Sequence, residues 1–311
     1  MSLEALRKLD EERAAIEAMA IKDPPPKPKR SARIIYDMPE HIYHADPCEV
    51  PSLTQSIAHE LVCGAPILAW LKHPKLGNAP RKVTEDMEHG SAFHAMILGK
   101  GSDIVAIDAD SFRGAHAQEM AAIAREAHKV PLLTRKRDAI ATAAEAARKK
   151  IEAFGYRFNG ASEVSVMWEE VTTWGEVVIC RARFDHLCDG KSLIIDVKKC
   201  ADANPANLPH HMTTYGYDIQ EVAYRRALVA VFPGLAGRDD FVFQFCELPP
   251  PHIVTPLRSA ATMHMLGERK WQMAIDKWAH CLSSGVWSDY ATETVRAEAK
   301  PWDLSQFGIG G

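Results

Sequence analysis

The spacing of apolar residues changes character once along this chain, near Ser162. Before that point, helical periodicity dominates. A helix is predicted to start at Ser52-Leu53-Thr54-Gln55, with a hydroxyl at its N-cap, and to run through Leu61 to Gly64-Ala65-Pro66. A second carries Ile67, Leu68, Trp70 and Leu71, and a third spans residues 87–98 with Ala92, Phe93, Met96 and Ile97 apolar and His94 among them. Residues 103–107 suggest a short strand. Residues 115–128 and 135–154 read as Ala-rich charged helices joined through Val130-Pro131-Leu132-Leu133-Thr134. From Ser162 the period becomes two: Glu163 to Trp168 alternates as a strand, followed by strands over 177–185, 193–198 and 240–247, the last ended by Pro249-Pro250-Pro251. Helices are predicted over 213–231 and 259–281. This order predicts an α/β fold, a mixed central sheet flanked by helices with helical additions at the N-terminal side.

Domain boundaries follow from the same pattern. Residues 1–22 read as a helix with Leu3, Leu6, Leu9 and Ile16 loosely on one side, followed by the Pro-rich basic run Asp23-Pro24-Pro25-Pro26-Lys27-Pro28-Lys29-Arg30. Five cations lie between Lys22 and Arg33, so the run is either a solvated tether, the preferred reading, or an arm that touches nucleic acid. The expected division is 1–33 as helix and linker, 34–304 as the folded domain and 305–311 as a flexible tail.

Composition narrows the class. The 311 residues are 47% hydrophobic and 25% charged, ordinary for a globular chain with a sizeable core. The net charge of −4 offers no global attraction to nucleic acid, so any such site must rest on local cations. No stretch reaches the ~20 apolar residues of a membrane span, and the charged N-terminus has no apolar signal core, so a cytoplasmic protein away from membranes is expected. The seven cysteines, Cys48, Cys63, Cys180, Cys188, Cys200, Cys246 and Cys281, include no C-x-x-C pair. Neither a zinc site nor a disulfide framework is expected, and most of the thiols read as core filler.

Candidate chemistry sits on one hairpin. Arg181-Ala182-Arg183-Phe184-Asp185 leads to Cys188-Asp189-Gly190-Lys191, and Asp-Gly between two apolar runs signals a hairpin turn with φ > 0 at both central positions. The return strand is Leu193-Ile194-Ile195-Asp196-Val197-Lys198. Folding about Asp189-Gly190 brings Asp185 opposite residues 194–196, while Asp196 and Lys198, two apart, share a face. Asp196 enters a run that looks buried on both faces, where a carboxylate is costly unless paired or holding a metal. A hard cation such as Mg²⁺ or Mn²⁺ would compensate it; so would an ion pair with Lys198, and the hairpin alone leaves both readings open.

These residues resemble the D…(D/E)-x-K signature of the PD-(D/E)XK nuclease superfamily, in its RecE-like branch (the C-terminal nuclease domain of the exonuclease VIII type). Four further stretches carry the resemblance. Glu88-His89-Gly90-Ser91-Ala92-Phe93-His94 looks like the helix that places a His near the metal, and Glu163-Val164-Ser165-Val166-Met167-Trp168 like the Glu-bearing strand. Tyr217-Asp218-Ile219-Gln220-Glu221-Val222-Ala223-Tyr224 matches the Q-x-x-x-Y helix, and Trp287-Ser288-Asp289-Tyr290 with Pro301-Trp302 resembles the tail. Order and spacing agree from about Tyr43 to Trp302. Two positions depart: Phe184 stands where the family often has Pro, and Lys199 where it often has Thr.

The resemblance implies roles. His94, Asp185, Asp196 and the carbonyl of Val197 would hold Mg²⁺, with Mn²⁺ able to substitute. Lys198 would position the attacking water and stabilise developing charge, Glu163 would orient the water or the lysine, and Gln220 and Tyr224 would brace the site. Arg181, Arg183, Lys199, Arg225 and Arg226 are candidate phosphate contacts, though each is more often a solvated cation. His89 faces elsewhere on its helix. The iron–sulfur cluster of some relatives is not expected, since only Cys246 and Cys281 lie in the C-terminal region where three clustered Cys are needed.

The activity implied is that of an exonuclease on linear double-stranded DNA ends, 5′-to-3′, leaving 3′ overhangs for phage-type recombination beside a single-strand annealing protein. A homo-oligomer, a tetrameric ring by analogy, is implied, in a phage- or prophage-encoded setting. The alternatives are an endonuclease or single-strand nuclease on the same core, and a catalytically silent DNA-binding or assembly module.

Overall fold

The structure is a computed structural model that describes residues 31–80, 83–291 and 293–308. The helix expected over 1–22 and the Pro-rich run over 23–30 lie outside them. Ala32–Gly311 is one unit, and the description that follows concerns it alone.

The hairpin that carries the candidate chemistry becomes the middle of a six-stranded sheet. Its strands are β1 (Ala32–Ile35), β4 (Gly160–Val171), β5 (Val177–Cys188), β6 (Leu193–Cys200), β7 (Asp240–Glu247) and β8 (Val254–Leu257), in that spatial order. All neighbours are antiparallel except β6 and β7, which run parallel. The expected α/β fold with a mixed sheet is the one found. A small parallel pair, β2 (Ile104–Ile107) with β3 (Val130–Leu133), stands apart. The stretch read as a connector is thus a strand, and its apolar Val-Pro-Leu-Leu run is mostly buried.

Helices cover both faces. In chain order they are α1 (Glu40–His44), α2 (Gln55–Cys63), α3 (Pro66–Lys72), α4 (Glu85–Leu98), α5 (Ala115–Glu126), α6 (Thr134–Ala153), α7 (Leu208–Thr214), α8 (Tyr217–Val231), α9 (Ala261–Ser284) and α10 (Pro301–Gln306). Strand alternation sorts the core between them. Ile194, Phe184 and Phe243 pack with residues of α2, α8 and α9, including the fully buried Trp271 and Trp278. Val197 and Cys246, one step out of phase, pack with Phe93 and Ile97 of α4 and Ile140 of α6. Each such buried large side chain contributes roughly 1.5–3 kcal/mol, which fixes the sheet register and with it the hairpin.

Two helix ends follow the sequence closely. Thr54 caps α2 by accepting a hydrogen bond from the Ile57 amide at 3.3 Å, and Thr84 caps α4 the same way from Met87 at 3.3 Å. The helix expected over 213–231 is instead two. Gly216 adopts φ 70°, and a Cβ there would stand 2.7 Å from the His59 ring, so the chain turns at this position and restarts as α8.

The stretch between α1 and α2 is fastened by a buried polar knot. Asp46 accepts from Ser52 Oγ and the Ser52 amide at 2.8 Å each, and lies 3.2 Å from His73 Nε2 and 3.1 Å from Arg181 Nη1. Burial alone would raise the Asp46 carboxyl, but His73, Arg181 and Ser52 outweigh it and hold it well below the usual carboxylate range. Arg181 is therefore a structural cation, 4% exposed, and not the phosphate contact considered from sequence.

Candidate active site

The turn of the hairpin differs in detail from expectation. Lys191 N donates to Cys188 O at 2.7 Å, and the left-handed residue is Lys191 (φ 54°), not Asp189 or Gly190. The register is nevertheless the expected one: His186 faces Ile195 and Leu187 faces Ile194, which puts Asp185 opposite Asp196. There the ladder stops. The Val197 amide turns from strand pairing to donate to Asp185 Oδ2 at 2.8 Å.

A second distortion faces the same point from β4. The β4–β5 ladder includes Ser162 with His186 and Val164 with Phe184 but skips the pair between them, Glu163 with Asp185. Glu163 has φ 57° in mid-strand, a conformation that costs a non-glycine residue about 1–3 kcal/mol. Its carboxylate is paired with Arg183, whose Nη1 donates to Met38 O at 3.0 Å. Both irregularities thus flank Asp185, and strain of this kind concentrates at functional positions.

Five side chains meet around the gap. Asp196 is fully buried, with Lys198 Nζ 2.5 Å from Oδ1 and Gln220 Nε2 donating to Oδ2 at 2.5 Å. His94 Nδ1 lies 3.5 Å from Asp185 Oδ2. His94 comes from α4 on one face of the sheet and Gln220 from α8 on the other. The hairpin is therefore gripped from both sides.

Burial shapes the charges. Desolvation pushes Asp185 up to about 7, with Glu163 adding to it and Lys198 opposing. Asp196 is likewise raised to about 7, first by desolvation and then by the Asp185 charge. Burial lowers His94, and Lys198 lowers it further, so its imidazole is neutral near pH 7. Burial would lower Lys198 too, but Asp196 and Asp185 outweigh it and leave it firmly an ammonium.

This donor set fits a hard divalent cation. Two carboxylates brought together, with the neutral His94 imidazole and the Val197 carbonyl it bonds beside them, are a mostly oxygen donor set suited to a cation. Asp196 Oδ1 has the Lys198 ammonium beside it but no well-formed hydrogen bond. The ligands are not preassembled, however. Among the described residues no three His, Cys, Asp or Glu side chains are already spaced to hold an ion, because Asp196 is turned to Lys198 and Gln220.

The remaining sequence candidates divide. Gln220 is in the site. Tyr224 is 7% exposed and packs its ring between Phe184 (5.3 Å) and Phe241 (6.1 Å), a bracing position under the hairpin. Lys199 points to the other face and pairs with Asp86 at the start of α4, Arg225 pairs with Asp239 (2.6 Å) and Glu221 (2.8 Å), and Arg226 with Glu268 and Glu170. None of these arginines is a free cation awaiting a phosphate. His89 lies 3.4 Å from Glu85, on its own helix. Sequence reasoning assigned no role to Tyr217, yet the Lys198 ammonium sits 4.9 Å over its ring and 5.8 Å from that of Phe243. The available signal was its place one turn before Gln220. An open cleft of about 590 Å³ runs past His94, Glu163, Val197, Lys198 and Lys199.

Residues 55–294 match the family described as "PDDEXK-like domain of unknown function (DUF3799)". Among solved structures, a protein of Eubacterium rectale described provisionally as an exonuclease shares this fold with a TM-score of 0.54, 13% identity, 88% of this chain and 99% of that chain covered. The structure of SSO0001 aligns at 15% identity over 61% of this chain and 86% of that one, with a TM-score of 0.25 that carries no argument. No curated protein sequence matches.

Proposed function

This chain belongs to the PDDEXK-like family DUF3799, and from that premise we propose that it is a divalent-metal-dependent DNA nuclease that digests linear duplex from its ends. One observation carries the reading: Asp185 and Asp196, both raised to about 7, face each other where two strands part, with Lys198 and His94 at the gap. An ion pair kept only for stability needs one carboxylate per cation. A buried Asp196 and a half-buried Asp185 near one ammonium leave a negative charge that a bound cation would neutralise.

His94, Asp185, Asp196 and the Val197 carbonyl are the residues that would hold Mg²⁺, or Mn²⁺ in its place. When bound, the ion supplies electrophilic activation of the phosphodiester and of water. The chain supplies the rest. Lys198 keeps its proton on Nζ and offers N–H to a non-bridging phosphate oxygen, where charge grows during in-line displacement. Gln220 fixes the rotamer of Asp196, and Tyr217 and Phe243 support the lysine from beneath. Glu163 holds Arg183 and lines the same cleft; from there it would orient water near Lys198.

The exonuclease form of this reading, 5′-to-3′ on double-stranded ends with a ring-shaped homo-oligomer and a single-strand annealing partner in a phage-type recombination setting, rests on the RecE-like motifs; the Eubacterium rectale protein is described only as an exonuclease, and provisionally. Its test compares linear duplex with covalently closed circles in Mg²⁺, using the native chain and Asp196→Ala. Loss of linear DNA alone, abolished by Asp196→Ala in a folded protein, is expected. Equal digestion of circles would replace it with the endonuclease reading, and no digestion in Mg²⁺ or, in a repeat, in Mn²⁺ would favour a silent binding module.

A further inference from the structure

Aromatic rings run from the interior of the sheet to the surface beneath Lys198. Phe243 of β7 lies 5.7 Å from Tyr217, and Tyr217 lies 5.8 Å from Tyr215 with their planes at 35°. His211 closes on Tyr215 edge-on at 5.9 Å. The series ends in the open: Tyr215 is 59% exposed, although Tyr217 and His211 hold its ring in place. The local sequence explains the arrangement. Helix α7 buries Leu208 and Met212, leaving His210 exposed and His211 half-buried, and Gly216 in the left-handed region sets Tyr215 and Tyr217 on either side of a sharp turn.

An exposed aromatic ring that is fixed from behind offers a flat apolar face at little entropic cost. Its natural complement is another flat ring, and every nucleobase has such a face whatever its sequence. Bases within a duplex have theirs covered by neighbours, so the complement is an unpaired base. Location supplies the rest: Tyr217 lies directly under the Lys198 ammonium, so Tyr215 is one ring removed from the group that meets the phosphate in the reading above.

We propose that Tyr215, backed by Tyr217, is a stacking platform for one unpaired nucleobase of a single-stranded DNA segment adjoining the phosphate at Lys198. This rests on the nuclease reading and adds a subsite to it. It gives the enzyme a grip on a frayed end that is indifferent to sequence and insensitive to salt, since stacking, unlike phosphate contact, releases no counterions.

The test uses the full chain in EDTA with a short labelled oligodeoxythymidine, and the same strand carrying one 2-aminopurine. Tyr215→Phe is expected to bind and quench 2-aminopurine as the native chain does, while Tyr215→Ala and Tyr215→Leu bind about tenfold more weakly without the quench. The leucine variant keeps the apolar bulk and controls for local collapse. Native-like binding and quenching by Tyr215→Ala would overturn the platform. So would Tyr215→Ala lowering the sedimenting mass while leaving DNA binding intact, which would make this surface an interface between copies. A native chain that digests duplex but binds no single strand overturns the platform and spares the nuclease reading. A chain that neither digests nor binds DNA overturns both.

Discussion

Gln220 Nε2 donates to Asp196 Oδ2 at 2.5 Å, joining helix α8 to the central strand across the interior of the sheet. Both residues are buried, Asp196 fully and Gln220 at 2% exposure, so neither water nor another rotamer can replace the bond cheaply. The amide fixes where the Asp196 oxygens point without adding a positive charge that would compete with a bound cation.

Gln220→Ala is therefore expected to act through the metal. The Mg²⁺ concentration for half-maximal digestion should rise about 10–100-fold, the usual cost of losing a partner that orients a ligand. Folding stability should fall by about 1–3 kcal/mol as the buried carboxylate loses its donor. A Mg²⁺ titration of the digestion rate, with thermal unfolding alongside, checks both; an unchanged Mg²⁺ requirement would remove Gln220 from the site.

Lys198 separates binding from chemistry. It is no ligand in this account, and its ammonium occupies the Asp196 oxygen that a cation would use. Lys198→Met should lower digestion by about 100-fold or more while Mn²⁺ binding, followed by calorimetry, is kept. Loss of both together would place the lysine in a structural ion pair instead.

How much of this was legible in the sequence depends on the range of the interactions. Thr54 and the alternation through Ile194-Ile195-Asp196-Val197 act locally, and their elements stand where periodicity put them; Asp189-Gly190 marked the place of the turn, though its left-handed residue is Lys191. β8, β1 and the Val130–Leu133 strand are only four residues each, with no room for a period, and exist because a neighbouring strand edge accepts them. The split before α8 falls at Gly216, whose left-handed φ and close approach to the His59 ring leave no room for a Cβ, and His59 is far away in sequence. In the site, Asp185, Asp196, Lys198, His94 and Gln220 are together as their motifs suggested. That the arginines are ion-paired was not legible because their partners, Asp46, Glu163, Asp239 and Glu268, lie elsewhere in the chain. Tyr217 under Lys198 was missed for the same reason.

The Asp46 knot gives a pH signature of its own. Its carboxyl is depressed in the folded protein, so the stability it contributes is complete above the unfolded value near about 4 and drains away as pH falls through the folded one. Asp46→Asn leaves Arg181 buried beside a neutral partner and should cost about 3–5 kcal/mol at neutral pH. Native and variant stabilities, measured by urea unfolding, should converge in acid below about pH 4. A difference that stays constant with pH would mean the charge on Asp46 is not what matters.

The central claim is that the Asp185–Asp196 gap is a metal-dependent site for cutting DNA from its ends. Its most direct measurement is digestion of linear duplex in Mg²⁺ with label at either the 5′ or the 3′ terminus, by the native chain and by Asp196→Asn. Early release of the 5′ label, persistence of the 3′ label, arrest by EDTA and no release by Asp196→Asn are the results predicted. Release that survives both EDTA and Asp196→Asn would contradict the site, and early release of the 3′ label would contradict the polarity.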